Sequence, residues 1–461
     1  GTLQRREEYD NLYDDRPSQF EHITSDTGSS ERLVNNIAGG GATHYAYSSH
    51  RRKTIVVGNN GTDEYTFMAY VEVADSANTH TLYLERAKRT ASGSGSDKSD
   101  MVGWSNRETI VAVGTDGDDT NDYIEFSMVM DSGEDNIYIA VNKVQDAGNP
   151  VIQLYKVTTL YASTFSDAVT STEEASIESD AAITRDIDLE IDAADDMYMV
   201  WGKTVGGDDL VRFANTITGT DWATIGTYTV GSSDLYAISL VRDTNQGSAL
   251  SLYLTYTKSA TGGGTNTLKY IRFVKNGGLN DIETSGVEQS ASSTAPYVDG
   301  GQPKFYHGAC FAIDSDGTKH WLFRISDAST LAHDIDGGSI ATITTDLGAD
   351  DAGSVLSRQT GWDFVVKDDF VAIYYTKDSD RTQILRSIRI TDSTDEGYNS
   401  GIVYSSELLE DSVSAPVMDW QGFFACYRPY EVNAGKRFGY IIGPAVAANV
   451  QAKFLMNDKG I

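Results

Sequence analysis

Apolar and polar positions along this chain alternate in short bursts, with a period near two and no sustained helical period. One phrase keeps returning: a polar turn, an apolar–aromatic–apolar run, then a basic residue. It is clearest in Asp135–Lys143 (DNIYIAVNK), Asp195–Lys203 (DDMYMVWGK) and Leu252–Lys258 (LYLTYTK). Looser copies are Phe67–Tyr70, His320–Arg324, Ala372–Lys377 and Phe423–Arg428. Anchored on Phe67, Tyr138, Tyr198, Tyr253, Trp321, Tyr374 and Phe424, the phrase recurs every roughly 50–70 residues. Each anchor run is preceded by another apolar strand, as in Ile124–Val129, Ile187–Ile191, Ala237–Val241 and Trp362–Val366. Each is followed by a strand alternating apolar with charged residues, as in Thr81–Arg86, Val151–Val157, Leu268–Phe273 and Ile384–Ile390.

A repeated antiparallel strand unit of this size predicts an all-β fold, a seven-bladed β-propeller, with six blades and one anchor outside the ring as the alternative. Ser105–Gly114 and Ala223–Val230 are the candidates for fourth strands. A ring of this kind closes by pairing a terminal strand into a blade. Tyr45–Ser48 and the tail Val450–Met456 are the two candidates, and the tail is the better one. Residues 1–42 stand apart as an irregular N-terminal arm: charged, of mixed sign, without strand alternation, and ending in Ala38–Ala42 (AGGGA). The propeller then takes residues 43–461. Tyr9, Leu12, Tyr13 and Phe20 give the arm apolar points with which to dock on a partner; a terminus that docks on nothing is the plainer reading.

Composition narrows the function classes. Across 461 residues, Asp and Glu number 67 against 36 Lys and Arg, a formal charge of −31. So acidic a surface repels phosphate backbones and anionic lipids, which argues against direct nucleic-acid or membrane binding. Two cysteines, Cys310 and Cys426, sit in apolar strand contexts and build neither a disulfide framework nor a zinc spacing. No apolar run is long enough to span a bilayer, and the first residues lack the apolar stretch of a signal peptide.

The Asp/Gly turn followed by an aromatic strand resembles the sialidase-like, Asp-box type β-propellers. Thr218–Trp222 (TGTDW) and Asp314–Trp321 (DSDGTKHW) look like degenerate Asp-box fragments. Sialidase activity, as that resemblance implies, needs an arginine cluster, a tyrosine with a glutamate partner, and an aspartic acid. Arg212, Arg242, Arg272, Arg324 and Arg386 occupy different positions within their repeats, so no catalytic residue is assigned. Some polysaccharide lyases, also propellers, use His with Tyr; Tyr306–His307 and His44–Tyr45 are the pairs in reach, although a His beside a Tyr is more often a packed neighbour. No cofactor site is read. Asp116, Asp118 and Asp122 give oxygen ligands at calcium-like spacing, without the Gly and closing Glu of an EF-hand loop. The basic residues ending anchor strands, Lys143, Lys203, Lys258, Lys377 and Arg428, are expected to form a ring around one mouth of the channel or to guard strand ends.

Taken together, a large acidic propeller with a charged arm resembles the propeller-type structural proteins of tailed viruses. The expectation is a tail, hub or fibre component of a virion, found in the particle or outside cells. It would bind other virion proteins or itself, or a surface glycan; whether it is an enzyme is left open. The alternative is a secreted carbohydrate-binding or carbohydrate-cleaving propeller, a lyase or glycosidase, with a polar, aromatic-lined mouth.

Overall fold

The structure is a computed structural model. It describes residues 31–36, 44–47, 55–74, 79–89, 101–102, 107–113, 123–144, 150–165, 169–179, 183–192, 194–205, 208–215, 226–231, 233–243, 251–260, 267–274, 288–290, 310–313, 317–325, 330–336, 340–346, 362–367, 370–376, 383–389, 416–419, 423–432 and 435–442. Tyr9, Leu12, Tyr13, Phe20, the Asp116–Asp122 loop, Tyr306, His307 and the tail after 442 lie outside these residues.

The strand β1 (Glu31–Asn36) is set aside for the last sheet. In the first sheet β4 (Glu64–Ala74) pairs along one edge with both β2 (His44–Tyr47) and β3 (Ile55–Asn59), and along the other with β5 (Thr79–Arg89). Beyond β5 lie β6 (Met101–Val102) and β7 (Glu108–Val113). The second sheet is β8 (Tyr123–Met130), β9 (Ile137–Val144), β10 (Val151–Thr158) and β11 (Thr170–Ser179), in that order. The third repeats it with β12 (Ile183–Ile191), β13 (Met197–Val205), β14 (Asp208–Asn215) and β15 (Gly226–Gly231), and the fourth with β16 (Ser233–Asp243), β17 (Ser251–Ala260), β18 (Thr267–Val274) and β19 (Gln289–Ser290). The fifth is β20 (Cys310–Ile313), β21 (Lys319–Arg324), β22 (Leu331–Ile335) and β23 (Ile340–Thr344). The sixth shows β24 (Trp362–Lys367), β25 (Phe370–Thr376) and β26 (Gln383–Arg389). The last contains β27 (Pro416–Asp419), β28 (Phe423–Val432) and β29 (Gly435–Ile442), with β1 as its outermost strand.

Among the described residues there are thus seven antiparallel sheets, five of them simple meanders of neighbours in sequence, the first branched at β4 and β5 and the last extended by β1; each anchor aromatic lies on the strand next to the innermost one of its own sheet. The first strands touch in cyclic order: β3 on β8, then β12, β16, β20, β24, β27 and back to β3. This is a β-propeller, with first strands innermost and edges turned outward. The fourth strands expected at Ser105–Gly114 and Ala223–Val230 are β7 and β15. Within the stretch read as an irregular arm, residues 31–36 form a strand, and it is this strand that pairs with the C-terminal β29.

The core lies between sheets. Phe67, Phe126, Ile139 and Val157 pack between the first and second, Leu154, Leu189, Met199 and Trp201 between the second and third, and Tyr198, Leu240, Leu254 and Tyr256 between the third and fourth. Anchor residues are buried because a second strand is covered on both faces: β9 is buried at every position from Ile137 to Asn142. The outermost β11 is largely exposed, and its sequence, TSTEEASIES, is polar accordingly.

The turns between first and second strands carry the Asp signature for a local reason. Asp131 Oδ1 accepts from the backbone N–H groups of Asp135 and Asn136, and Asp192 Oδ1 from those of Ala194 and Asp196. Each turn places an acidic residue at positive φ, Glu134 at 57° and Asp195 at 63°. Those two carboxylates reach the preceding sheet: Glu134 Oε2 accepts from Asn59 N at 2.6 Å, and Asp195 from Ser132 N and Oγ at 2.7 and 2.9 Å. The repeated motif therefore shapes its own turn and ties adjacent sheets together.

Candidate functional site

At the opposite end, where the first strands begin, polar side chains from facing sheets meet. In the second sheet Glu125 pairs with Asn142, Asn142 with Ile152, and Ile152 with Glu178. Directly opposed residues share a face, so this row presents Glu125, Asn142 and Glu178 to the third sheet. There Thr184 pairs with Lys203, and Trp201 with Arg212. The two surfaces interlock. Asn142 Nδ2 donates to Glu125 Oε2 at 2.8 Å, and Thr184 Oγ1 donates to Asn142 Oδ1 at 2.7 Å. Glu178 accepts from Trp201 Nε1 and from Lys203 Nζ, both at 2.6 Å, with Arg212 Nη2 at 3.4 Å.

Glu178 belongs to a repeated device. Three residues beyond the anchors Phe67, Tyr198 and Tyr253 stand Tyr70, Trp201 and Tyr256, fully buried, each with one polar hydrogen. Each donates it to a glutamate: Tyr70 to Glu85 at 2.5 Å, Trp201 to Glu178, and Tyr256 to Glu288 at 2.5 Å. Burial and then the Glu85 charge raise the Tyr70 hydroxyl well above the usual tyrosine range, so it stays protonated as a donor. Burial works to raise Glu288, but the Tyr256 hydroxyl with Lys258 and Lys269 outweighs it and holds that carboxyl below the usual range. Lys269 Nζ lies 3.4 Å from it. The glutamates differ in access. Glu85 is enclosed, whereas the Glu178 and Glu288 side chains keep 10% and 22% of their surface.

Closer to the ring's inner rim, Asp188 of β12 joins three first strands. It accepts from Ser127 Oγ of β8 at 2.8 Å, from Leu240 N of β16 at 2.7 Å and from Ser239 Oγ at 3.3 Å. Asp186, at φ 52° in a bulge of β12, accepts from Ile238 N, which lies in a bulge of β16. These carboxylates are buried and bonded, which suits a scaffold more than acid–base work.

The spacing excludes one chemistry for the facing rows. Glu125 and Glu178 stand three strand steps apart, about 14 Å at ~4.8 Å per step, whereas paired glycosidase carboxylates need about 5–9.5 Å. The arginines do not gather: Arg212 meets Glu178, Arg242 donates to Ile191 O at the other end, and Arg272 lies over the Tyr253 ring. The sialidase-type arginine cluster is therefore not assembled among the described residues. Of the strand-end basic residues, Lys203 does not line an axial mouth: it is buried against Glu178 on the outer strand of the adjacent sheet. Lys143 and Lys258 lie at the same end, partly exposed, while Lys377 and the Arg428 side chain fall outside the described residues. The glutamate partners were missed in the sequence because Glu178 and Glu288 sit outside the repeated phrase, on or beside outer strands.

Among the described residues no group of three or more His, Cys, Asp or Glu is placed to hold a metal, and no helix is long and apolar enough to cross a membrane. Asp116, Asp118 and Asp122, and the arm residues Tyr9, Leu12, Tyr13 and Phe20, are outside those residues. No protein-family model matches the sequence. No curated protein matches it either. Solved structures similar to the chain include a polysaccharide lyase (10% identity, TM-score 0.45, covering 94% of this chain and 98% of that one). They also include the GH93 α-L-arabinofuranosidase of Fusarium graminearum with arabinobiose (7%, TM-score 0.39, 79% and 99%) and an exo-β-1,3-galactanase from Clostridium thermocellum (11%, TM-score 0.33, 90% and 100%). These three are carbohydrate-active enzymes and lend nothing to the virion expectation. At such identities and scores the fold rests on this chain's own strand pairing.

Proposed function

We propose that this chain is a carbohydrate-binding or carbohydrate-cleaving propeller whose ligand meets the sheet ends where the first strands begin. One observation carries the reading. Glu178 and Glu288 are partly exposed there, each fixed from beneath by an indole or phenol hydrogen and flanked by Lys203 and Arg212 or by Lys258 and Lys269. Planar acceptors and charged donors held in place are what a polyhydroxylated ligand requires, because each hydroxyl needs a partner whose ordering cost is already met. The row carboxylates Glu125 and Glu178 stand too far apart for paired hydrolysis, which favours binding. The virion reading rested on the arm, and the described residues supply nothing further for it.

Native affinity electrophoresis through gels containing neutral or uronic-acid polysaccharides tests this, with reducing-end and unsaturated-product assays run beside it. At least one polysaccharide is expected to retard the protein. Glu288→Gln should weaken that retardation about tenfold, the worth of one hydrogen bond to a charged group. If no polysaccharide retards the protein and none is cleaved, the proposal fails.

A further inference from the structure

The hairpin between β3 and β4 turns through Asn60, Gly61, Thr62 and Asp63, with Asn59 opposed to Glu64 at its base. It contains an Asn–Gly pair, the dipeptide whose side-chain amide is most open to attack by the next backbone nitrogen, because glycine has no Cβ to hinder the approach. Asn60 and Gly61 are both exposed, and nothing lies within 4 Å of where a Cβ on Gly61 would stand. By solvent access and by room, the pair is open to reaction. The chain's other Asn–Gly pair, Asn276–Gly277, is outside the described residues.

In that reaction the Gly61 nitrogen loses its proton and bonds to Asn60 Cγ. The bond from Cγ to the side-chain nitrogen breaks, and ammonia leaves behind a five-membered imide. Water then opens the imide at one carbonyl to give aspartate, or at the other to give isoaspartate, whose main chain runs through the former side chain.

The hairpin opposes the first of these steps. Gly61 N donates to Asn59 Oδ1 at 2.6 Å, so the proton that has to leave is held. Glu134 Oε2 accepts from Asn59 N at 2.6 Å, and its charge disfavours an amide anion nearby. Asn60 Oδ1 accepts from Thr62 N at 2.9 Å and Asp63 N at 2.8 Å, which fixes the side chain in the turn. Those two donors also polarise Cγ toward attack, but a nitrogen that keeps its proton cannot use a polarised carbon. The nucleophile decides the rate.

We infer that Asn60 is a latent site of spontaneous deamidation, kept unreactive in the folded hairpin by the Asn59 side chain. The two products differ in what they undo. Aspartate keeps an oxygen for Thr62 N and Asp63 N. Isoaspartate takes that oxygen into a longer main chain and dissolves the turn beside the Asn59–Glu134 tie between the first and second sheets.

Peptide mapping of the full-length protein, aged at mildly alkaline pH either native or unfolded in guanidinium chloride, follows the mass gained at Asn60 as its amide becomes an acid. Three hydrogen bonds have to break before the native hairpin reacts, so Asn60 should convert about 100-fold more slowly than in the unfolded chain. Asn59→Ala removes the acceptor on Gly61 N; it should speed the native reaction about fivefold and leave the unfolded rate unchanged. Equal conversion of native and unfolded wild type overturns the proposal, and that comparison stands even where Asn59→Ala does not fold. A native rate that Asn59→Ala leaves unchanged overturns it as well.

Discussion

Replacing Asp188 with Asn tests whether the inner strands are held by their hydrogen bonds or only by packing. The two side chains are nearly the same shape, so packing is conserved. In the native protein Asp188 is 1% exposed and Oδ1 accepts from Ser127 Oγ and Leu189 N, while Oδ2 accepts from Leu240 N and Ser239 Oγ. An asparagine keeps one oxygen and turns an NH2 group toward donors. Turned one way, the NH2 group displaces Leu240 N and Ser239 Oγ from their carboxylate oxygen; turned the other, it displaces Ser127 Oγ and Leu189 N, and Leu189 N then keeps Ser127 Oγ as its acceptor. A hydrogen bond to a charged group contributes about 1.5–3 kcal/mol, and the less costly flip loses the Ser127 hydroxyl bond in full and the shared Leu189 bond in part, so the variant should be destabilised by about 2–4 kcal/mol. Urea unfolding followed by tryptophan fluorescence reads this as a lower midpoint at unchanged slope. Ser127→Ala alone should cost about 1 kcal/mol, and the double variant less than the sum, since both remove the same bond. A loss below about 1 kcal/mol for Asp188→Asn would refute the reasoning and leave apolar packing as what holds the first strands together.

Two other outcomes follow from buried groups. A Cβ on Gly58 would come within 2.5 Å of Tyr161 Oη and 2.8 Å of Met130 Sδ, and Tyr161 is held by its bond to Glu134 O; Gly58→Ala should therefore cost about 1–3 kcal/mol by overpacking, read by thermal melting. Burial lowers His80 to about 4, and burial with the His320 neighbour lowers His333 to about 3. The unfolded chain takes up these protons from about pH 6.5 downward and the native one does not. The stability involved is therefore complete above pH 6.5 and falls by about 1.4 kcal/mol per pH unit for each histidine down to its native value. His333→Gln should flatten the loss of stability between pH 6 and 4, and an unchanged slope would show that His333 does not carry it.

The propeller was legible because its cause is local. An anchor aromatic on a strand covered on both sides, and an Asp that shapes its own turn, repeat within each unit and need no knowledge of the rest of the chain. What lay hidden depends on partners distant in sequence. The outer strand β11 reads TSTEEASIES because it faces water, so it lacks the apolar signal that marks its neighbours. The strand β1 reads ERLVNN amid charged sequence, and only the pairing with Gly435–Ile442 makes it a strand. For the candidate site, Trp201 and Lys203 were visible within the repeated phrase, but their carboxylate was not. Glu178 comes before them on another sheet, and nothing in its own sequence neighbourhood distinguishes it from Glu173 or Glu174.

The pairing of β1 with β29 also sets an order of events during synthesis. The other sheets are complete once their own strands have left the ribosome, whereas Glu31–Asn36 has to wait for a partner that begins at Gly435. Some 400 residues separate them, about 20–80 s at ordinary elongation rates. Throughout that interval the nascent chain carries this segment without the partner that makes it a strand. A sequence with an acid, a base and two amides around only two apolar residues suits the wait, since it gives other nascent chains little to join. Gly435–Ile442 would then complete its sheet by recruiting a segment made long before it.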